Sequence, residues 1–141
     1  MPNASTVFVD TNVLIYAADA RSVSAAKMKR ALELLATEEV CLSFQVLQEF
    51  YANAINPRKL GLTQVEASAW CDTWLQYPVA SLDAETFVRT LELARRYQIS
   101  NWDAAILAAA KQLGCAIVYS EDLNHGQDYD GVQVVNPFLG L

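Results

Sequence analysis

Four acidic residues in four separate segments of the chain have the chemistry of a metal-ion site: Asp10, Glu49, Asp103 and Asp122. Carboxylates that converge without nearby cations repel one another and raise their own pKa values, unless hard cations neutralise them. Mg²⁺ and Mn²⁺ prefer such oxygen ligands. We therefore predict phosphate-ester cleavage, in which one ion activates the attacking water and a second, roughly 4 Å away, stabilises the leaving oxygen.

Asp10 and Asp122 each follow an apolar run of strand length, VFV and AIVY. An acid at a strand end points into the crevice beyond the sheet, where open α/β folds bind ligands. Because side chains alternate along a strand, either Asp122 or its competitor Glu121 should face that crevice. Asn12 and Ser120 are suited to hold metal-bound waters or a ligand beside these acids.

Several of these residues also have a structural interpretation. Asp10 could cap the next helix, although a polar triplet between two apolar runs costs desolvation unless it is used. Glu49 alone resembles an ordinary surface glutamate. Asp103 stands at N3 of a helix beginning at Ser100, where an acid completes a capping box. We interpret His125 as a hydrogen-bonded loop residue rather than a general base, since a metal-bound water already supplies the nucleophile.

The elements that position these residues alternate between strand and helix, which predicts parallel strands with helices on both faces. Strands are predicted at 7–9, 40–43, 79–81 and 115–119, with an edge strand at 132–135. Helices are predicted over 24–36, from Ser43 to the Asn56-Pro57 stop, from a capping box at Thr63 and Glu66, over 83–97, and from Ser100 to Gly114.

Helical spacing predicts which helix residues are buried. The expected buried residues are Met28, Leu32 and Leu35 in the first of these helices, Val46, Leu47, Phe50, Tyr51 and Ala54 in the second, and Phe87, Leu91 and Ala94 in the helix over 83–97. We interpret Trp70 and Trp74, one turn apart, as core residues, with a dimer face as the alternative.

Length and composition indicate one globular domain over residues 1–141, with 53% hydrophobic and 18% charged residues. The three cysteines, Cys41, Cys71 and Cys115, lie in apolar segments without C-x-x-C spacing, so we expect reduced core thiols. No apolar stretch approaches the roughly 20 residues that span a bilayer, and no signal-peptide pattern is present. We expect a soluble cytoplasmic protein with no membrane association.

The net charge of −6 alone argues against a nucleic-acid partner, because phosphates are bound largely by Lys and Arg. Bound cations would neutralise four of the 16 acids, however, and the basic residues are clustered. The candidates for nucleic-acid binding are Lys27, Lys29, Arg30, Arg58 and Lys59. The alternative interpretation is a solvated helix surface.

Four motifs in order, VFVDTNVLIY, SFQVLQEFYANA, NWDAAILAAAKQLG and IVYSEDLNHG, make nearly the whole chain similar to a PIN domain of the VapC-type toxin family. The resemblance implies a three-layer α/β/α sandwich around a mostly parallel sheet of four or five strands, and Mg²⁺- or Mn²⁺-dependent ribonuclease activity. Asp10, Glu49 and Asp103 match the three most regular acids of the family, and Asp122 the fourth. Asn12 matches the polar residue beside the first acid, and Ser120 stands where Thr is common.

The resemblance also implies partners. VapC-type toxins cleave structured RNA such as tRNA or rRNA, tend to form homodimers, and are inhibited by a VapB-like antitoxin that presents a basic side chain to the acidic groove. Two alternatives stay open: a catalytically silent binding module on the same fold, and a PIN nuclease without an antitoxin. A haloacid-dehalogenase-like phosphatase is disfavoured because it needs a second Asp where this chain has Asn12. A receiver domain is disfavoured because its acidic pair and late lysine are not visible.

Overall fold

The structure is a computed structural model that describes residues 6–81 and 83–141. The strands within these ranges are β1 (Thr6–Val9), β2 (Glu39–Ser43), β3 (Val79–Ala80), β4 (Ile117–Tyr119), β5 (Asp128–Tyr129) and β6 (Val132–Val135). The helices are α1 (Thr11–Ala18), α2 (Ala25–Thr37), α3 (Phe44–Ile55), α4 (Gln64–Trp74), α5 (Ala84–Tyr97) and α6 (Asn101–Gln112), with a 3-10 turn at Ser22–Ser24. The predicted strands and helices are present, with small differences at their ends.

The strands form one mixed sheet in the order β3-β2-β1-β4-β6-β5. The first five strands in this order pair in parallel, as predicted, and β5 adds an antiparallel edge to β6. The prediction that 132–135 is the edge strand is therefore wrong. Asp130 and Gly131 both have positive φ, 54° and 93°, and so close a tight hairpin that brings β5 outside β6.

The helices form two layers on the sheet. The chain leaves β1 towards β2 and β3, then crosses back beyond β1 to β4. Because such crossovers are right-handed, the connecting helices of the two directions cover opposite faces of the sheet. In agreement, α1 packs against α2 and α3, α3 packs against α4, and α5 packs mainly against α6. The predicted α/β/α sandwich is thus confirmed.

Capping residues begin the helices as the sequence predicts. Ser43 accepts a hydrogen bond from the backbone amide of Val46, and Thr63 and Glu66 form a complete capping box. Asp103 N–H donates to the Ser100 hydroxyl at 3.1 Å. Such caps satisfy amides that have no partner inside the helix.

The apolar stripe of α3 is confirmed, since Val46, Phe50 and Ala54 are buried with Leu47 and Tyr51 packed against them. On α2 the prediction is wrong for Leu32, which is 41% exposed. The buried residues there are Ala31, Leu34 and Leu35.

On α5 the prediction is wrong for Phe87, which is 62% exposed, and for Leu91, which is 37% exposed. Ala94 is partly buried and packs against the core. The buried residues are Thr86, Thr90 and Leu93. The two threonines can be buried because their hydroxyls donate within the protein, Thr90 to the Thr86 carbonyl at 2.8 Å and Thr86 to the Gln112 side chain at 3.0 Å. The true stripe is polar at two positions, which apolar spacing cannot reveal.

Other predicted core residues can be compared directly. Trp74 is 2% exposed and stacks on Trp70, with ring centroids 5.3 Å apart. The cysteines are free; Cys41 and Cys115 are buried and Cys71 is partly so. His125 accepts a hydrogen bond from the Asn136 amide at 3.0 Å, as a loop histidine should. No helix within the described ranges is long and apolar enough to cross a membrane.

Candidate active site

The site begins where the adjacent parallel strands β1 and β4 end. Val9 is in register with Tyr119, so the next residues, Asp10 and Ser120, lie side by side. The Asp10 amide donates to the Tyr119 carbonyl at 2.9 Å, and the Ser120 hydroxyl donates to Asp10 Oδ2 at 2.8 Å. Strand pairing therefore fixes both the backbone and the carboxylate of Asp10.

Asp10 is both a helix cap and a buried carboxylate. Its Oδ1 accepts from the Thr11 amide at 2.7 Å at the start of α1, and the residue is only 4% exposed. The pKa of Asp10 is raised to about 6, mainly by burial; the Ser120 and Thr11 hydrogen bonds lower it, and the charges of Asp122 and Glu49 add to the increase. The interpretation of Asp10 as a helix cap is therefore compatible with its interpretation as a candidate metal ligand.

Glu49, from α3, is held from two sides. The Thr11 hydroxyl donates to its Oε2 at 3.1 Å, and the Gln45 side-chain amide donates to its Oε1 at 2.6 Å. The same Gln45 amide also donates to the Trp102 carbonyl at 3.2 Å. Thr11 belongs to the polar triplet that follows β1, but its bond to Glu49 is not visible in the sequence. Gln45 did not stand out; its position one helical turn before Glu49 was the available signal.

Asp103 lies in the first turn of α6 and is half-buried. Burial is the main cause that raises the pKa of Asp103, and the charges of Asp122 and Glu49 add to it. The charges of Asp122 and Glu49 therefore raise the pKa values of both Asp10 and Asp103. Asp10 follows β1, Glu49 lies in α3, Asp103 lies in α6 and Asp122 follows β4, and the four are close enough for their charges to interact.

Glu121 and Asp122 point to different surroundings. Asp122 Oδ2 accepts from the Asn12 amide at 3.2 Å. Glu121 accepts instead from the Tyr16 hydroxyl at 2.6 Å and from Lys27 at 3.1 Å. Of the two competitors, Asp122 is the one beside the other acids.

Ser120 connects three parts of the site. Its hydroxyl donates to Asp10 and accepts from the Asp122 amide at 3.1 Å and the Asn12 side chain at 3.4 Å. Asn12 in turn accepts from the Glu121 amide at 3.4 Å. Ser120 is fully buried, so these bonds orient Asp10, Asn12 and Asp122 as a unit.

The ion pairs found among residues 6–81 and 83–141 include none of the four carboxylates. The donor set, all carboxylate oxygens with hydroxyl and amide neighbours, suits a hard cation. However, within the described part of the chain no three Asp, Glu, His or Cys side chains are close enough to enclose a metal by themselves. Mg²⁺ commonly binds one or two carboxylates directly and keeps several waters. The donor chemistry of the site therefore fits Mg²⁺ without three carboxylates that enclose the ion.

The sequence profile of the PIN domain family matches residues 7–127. The chain belongs to the PIN domain family. The matched range includes the four carboxylates, Asn12 and Ser120, and it confirms the family resemblance seen in the sequence motifs. No curated protein has a significant match to the chain.

Solved structures of similar fold come from several bacteria. VapC20 of Mycobacterium tuberculosis, described as a Sarcin-Ricin loop cleaving toxin, is 24% identical, with a TM-score of 0.67 over 82% of this chain and 89% of that one. A toxin–antitoxin complex from Klebsiella pneumoniae is 18% identical, with a TM-score of 0.70 over 94% and 98%. DNA-bound VapBC from Salmonella typhimurium is 16% identical, with a TM-score of 0.66 over 94% and 98%. At these identities the likeness establishes the fold of this PIN domain.

The basic residues predicted to contact RNA differ in their surroundings in this PIN domain. Lys27 bonds Glu121 and lies 4.7 Å from the centre of the Tyr16 ring. Arg30 Nε donates to the Pro137 carbonyl at 3.2 Å. Lys29, Arg58 and Lys59 are exposed. The first two have structural contacts, and a role in RNA binding stays a prediction for all five.

Proposed function

We propose that this PIN domain protein is a Mg²⁺- or Mn²⁺-dependent endoribonuclease that acts as the toxin of a toxin–antitoxin pair in the cytoplasm. The observation that carries the proposal is Asp10. It is a buried carboxylate with a raised pKa, near three further acids and in no ion pair that the described residues make. A buried charge of this kind is unfavourable unless a cation binds to it.

Asp10, Glu49, Asp103 and Asp122 would hold the metal. When bound, the metal supplies a water of lowered pKa and neutralises charge on the phosphate. Ser120 and the Thr11 amide keep Asp10 in one rotamer, and Gln45 and the Thr11 hydroxyl do the same for Glu49. Asn12 orients Asp122. This fixed arrangement removes reorganisation of the carboxylates from the reaction barrier.

Structured RNA and a VapB-like antitoxin are the proposed partners. Support comes from the structural neighbours, one described as a toxin that cleaves the Sarcin-Ricin loop and another as a toxin–antitoxin complex. An antitoxin with a basic side chain would complement the acidic site and a chain of net charge −6. We also propose a homodimer, which would join two RNA-binding rims.

The test is cleavage of total tRNA and ribosomal RNA by purified protein in Mg²⁺, Mn²⁺ or EDTA. Asp10→Asn and Asp103→Asn should abolish metal-dependent cleavage while remaining folded. Asp72→Asn, an exposed acid on α4, is the matched control and should cleave like wild type. If the wild type binds metal but cleaves none of these RNAs, the catalytically silent PIN module is the better description.

An antitoxin partner is tested separately, by co-expression with the product of a neighbouring small gene. A stable complex that inhibits cleavage is expected. Active nuclease without such a complex would indicate a PIN nuclease that is not paired with an antitoxin.

A further inference from the structure

Trp102 is the most exposed aromatic residue among those the structure describes, at 72% exposure, and it directly precedes Asp103. The ring contacts made by the described residues do not include Trp102. Phe87, 62% exposed, lines the same groove as Trp102. Two large apolar side chains exposed together beside a candidate active site indicate a binding surface.

The backbone at Trp102 is tied to the acidic site. The Gln45 side-chain amide donates both to the Trp102 carbonyl at 3.2 Å and to the Glu49 carboxylate at 2.6 Å. Gln45 is itself buried. The amide that holds Glu49 therefore also holds the backbone of Trp102, the residue directly before Asp103.

Trp102 borders a groove of about 370 Å³ between α3, α5 and α6. Its apolar wall comes from Phe87 and Ala105. Its polar lining consists of three side-chain amides, one hydroxyl and one carboxylate: Gln45, Gln48, Asn101, Thr90 and Asp83. A flat aromatic surface with amides around its edge suits a planar ligand that also forms hydrogen bonds. An apolar peptide side chain would instead cover the Gln48 and Asn101 amides without forming hydrogen bonds to them.

We propose that this groove binds a nucleobase, stacked on Trp102, from the unpaired RNA nucleotide next to the cleaved phosphate. The inference rests on the proposed ribonuclease function and adds to it a contact between Trp102 and the base beside the cut. Unpaired bases are recognised by stacking on aromatic rings and by hydrogen bonds at their edges. Trp102 is then a positioning residue, and Gln48 and Asn101 are candidates to read the base.

The test measures binding of a fluorescein-labelled hexa-adenosine RNA in Mg²⁺, in the Asp10→Asn background so that the RNA is not cleaved. Trp102→Ala should weaken binding about tenfold, whereas Trp102→Phe should keep most of the affinity. An abasic RNA of equal length and charge should bind weakly, and with equal affinity, to the Asp10→Asn protein with or without Trp102→Ala. Phe44→Ala, which removes another half-exposed aromatic residue outside the groove, is the matched control and should change little.

Intrinsic fluorescence gives a second readout, because Trp74 is buried and Trp70 is half-buried and stacked on it. Hexa-adenosine should quench emission in the Asp10→Asn protein and not in its Trp102→Phe derivative. Equal RNA affinity with Ala, Phe or Trp at this position would overturn the inference. Loss of antitoxin binding by Trp102→Ala, with RNA affinity unchanged, would overturn it in favour of a protein-docking surface.

Failure of the inference is distinguishable from failure of the proposed function. If wild type cleaves RNA and Trp102→Ala cleaves with unchanged KM, the stacking site is wrong and the nuclease stands. If wild type cleaves none but Trp102-dependent binding of bases holds, the protein binds RNA without cutting it.

Discussion

Replacing Asp10 by asparagine should stabilise the metal-free protein while removing its response to metal. Asparagine is nearly isosteric, can still accept from the Thr11 amide, and carries no charge into a site that is 4% exposed. Raising the pKa of the carboxyl from 3.8 to about 6 costs the folded state about 3 kcal/mol at neutral pH.

Part of the stability gained by removing the charge of Asp10 is lost at Ser120. Its hydroxyl now donates to Asp10 and already accepts from the Asp122 amide and the Asn12 side chain. The new amide nitrogen at the Oδ2 position would be a third donor beside this hydroxyl, at a cost of about 1 kcal/mol. We expect a net stabilisation of about 2 kcal/mol at pH 8, which for a chain of this size raises Tm by roughly 4–8 °C.

The sign of the pH dependence follows from the raised pKa. The folded carboxyl holds its proton up to about pH 6 and the unfolded one only to about 3.8. As the pH rises from about 3.8 to about 6, the wild type therefore loses stability relative to the variant. The full difference in the free energy of unfolding is present above pH 6.

The assay is urea unfolding in EDTA at pH 4, 6 and 8, repeated at pH 8 with Mg²⁺. Mg²⁺ should stabilise wild type and not the variant, because it binds only the folded protein. A variant that is less stable than wild type at pH 8, or a difference that does not grow from pH 4 to 6, would refute the account of Asp10 as a destabilising buried charge.

Three further predictions follow from particular contacts. Ser120→Ala should lower the free energy of unfolding by about 1–3 kcal/mol and raise the pKa of Asp10 further, measured by urea unfolding and by the pH dependence of metal binding, because Asp10 loses a donor. Leu93→Ala should cost about 2–5 kcal/mol and Phe87→Ala less than about 1; equal costs in thermal unfolding would contradict the corrected stripe of α5. Glu121→Gln should change stability by less than about 1 kcal/mol, since its ion pair with Lys27 is partly exposed, and a large loss in the same unfolding assay would contradict this.

The sequence predicts most of the fold because its signals are local. Capping residues such as Ser43 and Thr63 and the apolar runs of the parallel strands depend on neighbours in the chain. The errors arise where tertiary contacts decide. Thr86 and Thr90 are buried on α5 through hydrogen bonds that apolar spacing ignores. No apolar run marks the short edge strand β5, and its only local signal is the Asp130-Gly131 pair, which suits a tight hairpin.

The sequence predicts the residue types of the candidate site but not the hydrogen bonds that connect its residues. Strand ends locate Asp10 and Asp122, yet no sequence pattern shows that Ser120 links them through one hydroxyl. Nor does it show that the Gln45 amide joins Glu49 to the backbone of Trp102. Such contacts join residues far apart in sequence, so only the folded chain determines them. The role of the four acids as metal ligands stays a prediction.

These contacts explain why an unfavourable cluster of charges can persist in a stable fold. The apolar core around β1 and β4 supplies the stability, while hydrogen bonds from Ser120, Thr11, Gln45 and Asn12 prevent the carboxylates from turning away from one another. A bound cation would then release electrostatic energy already stored in the fold, and its affinity would rise with pH as Asp10 loses its proton. Weakening of Mg²⁺ binding as the pH falls from 7 to 5, beyond the change seen for Asp10→Asn, is the measurement that connects the raised pKa of Asp10 to metal binding.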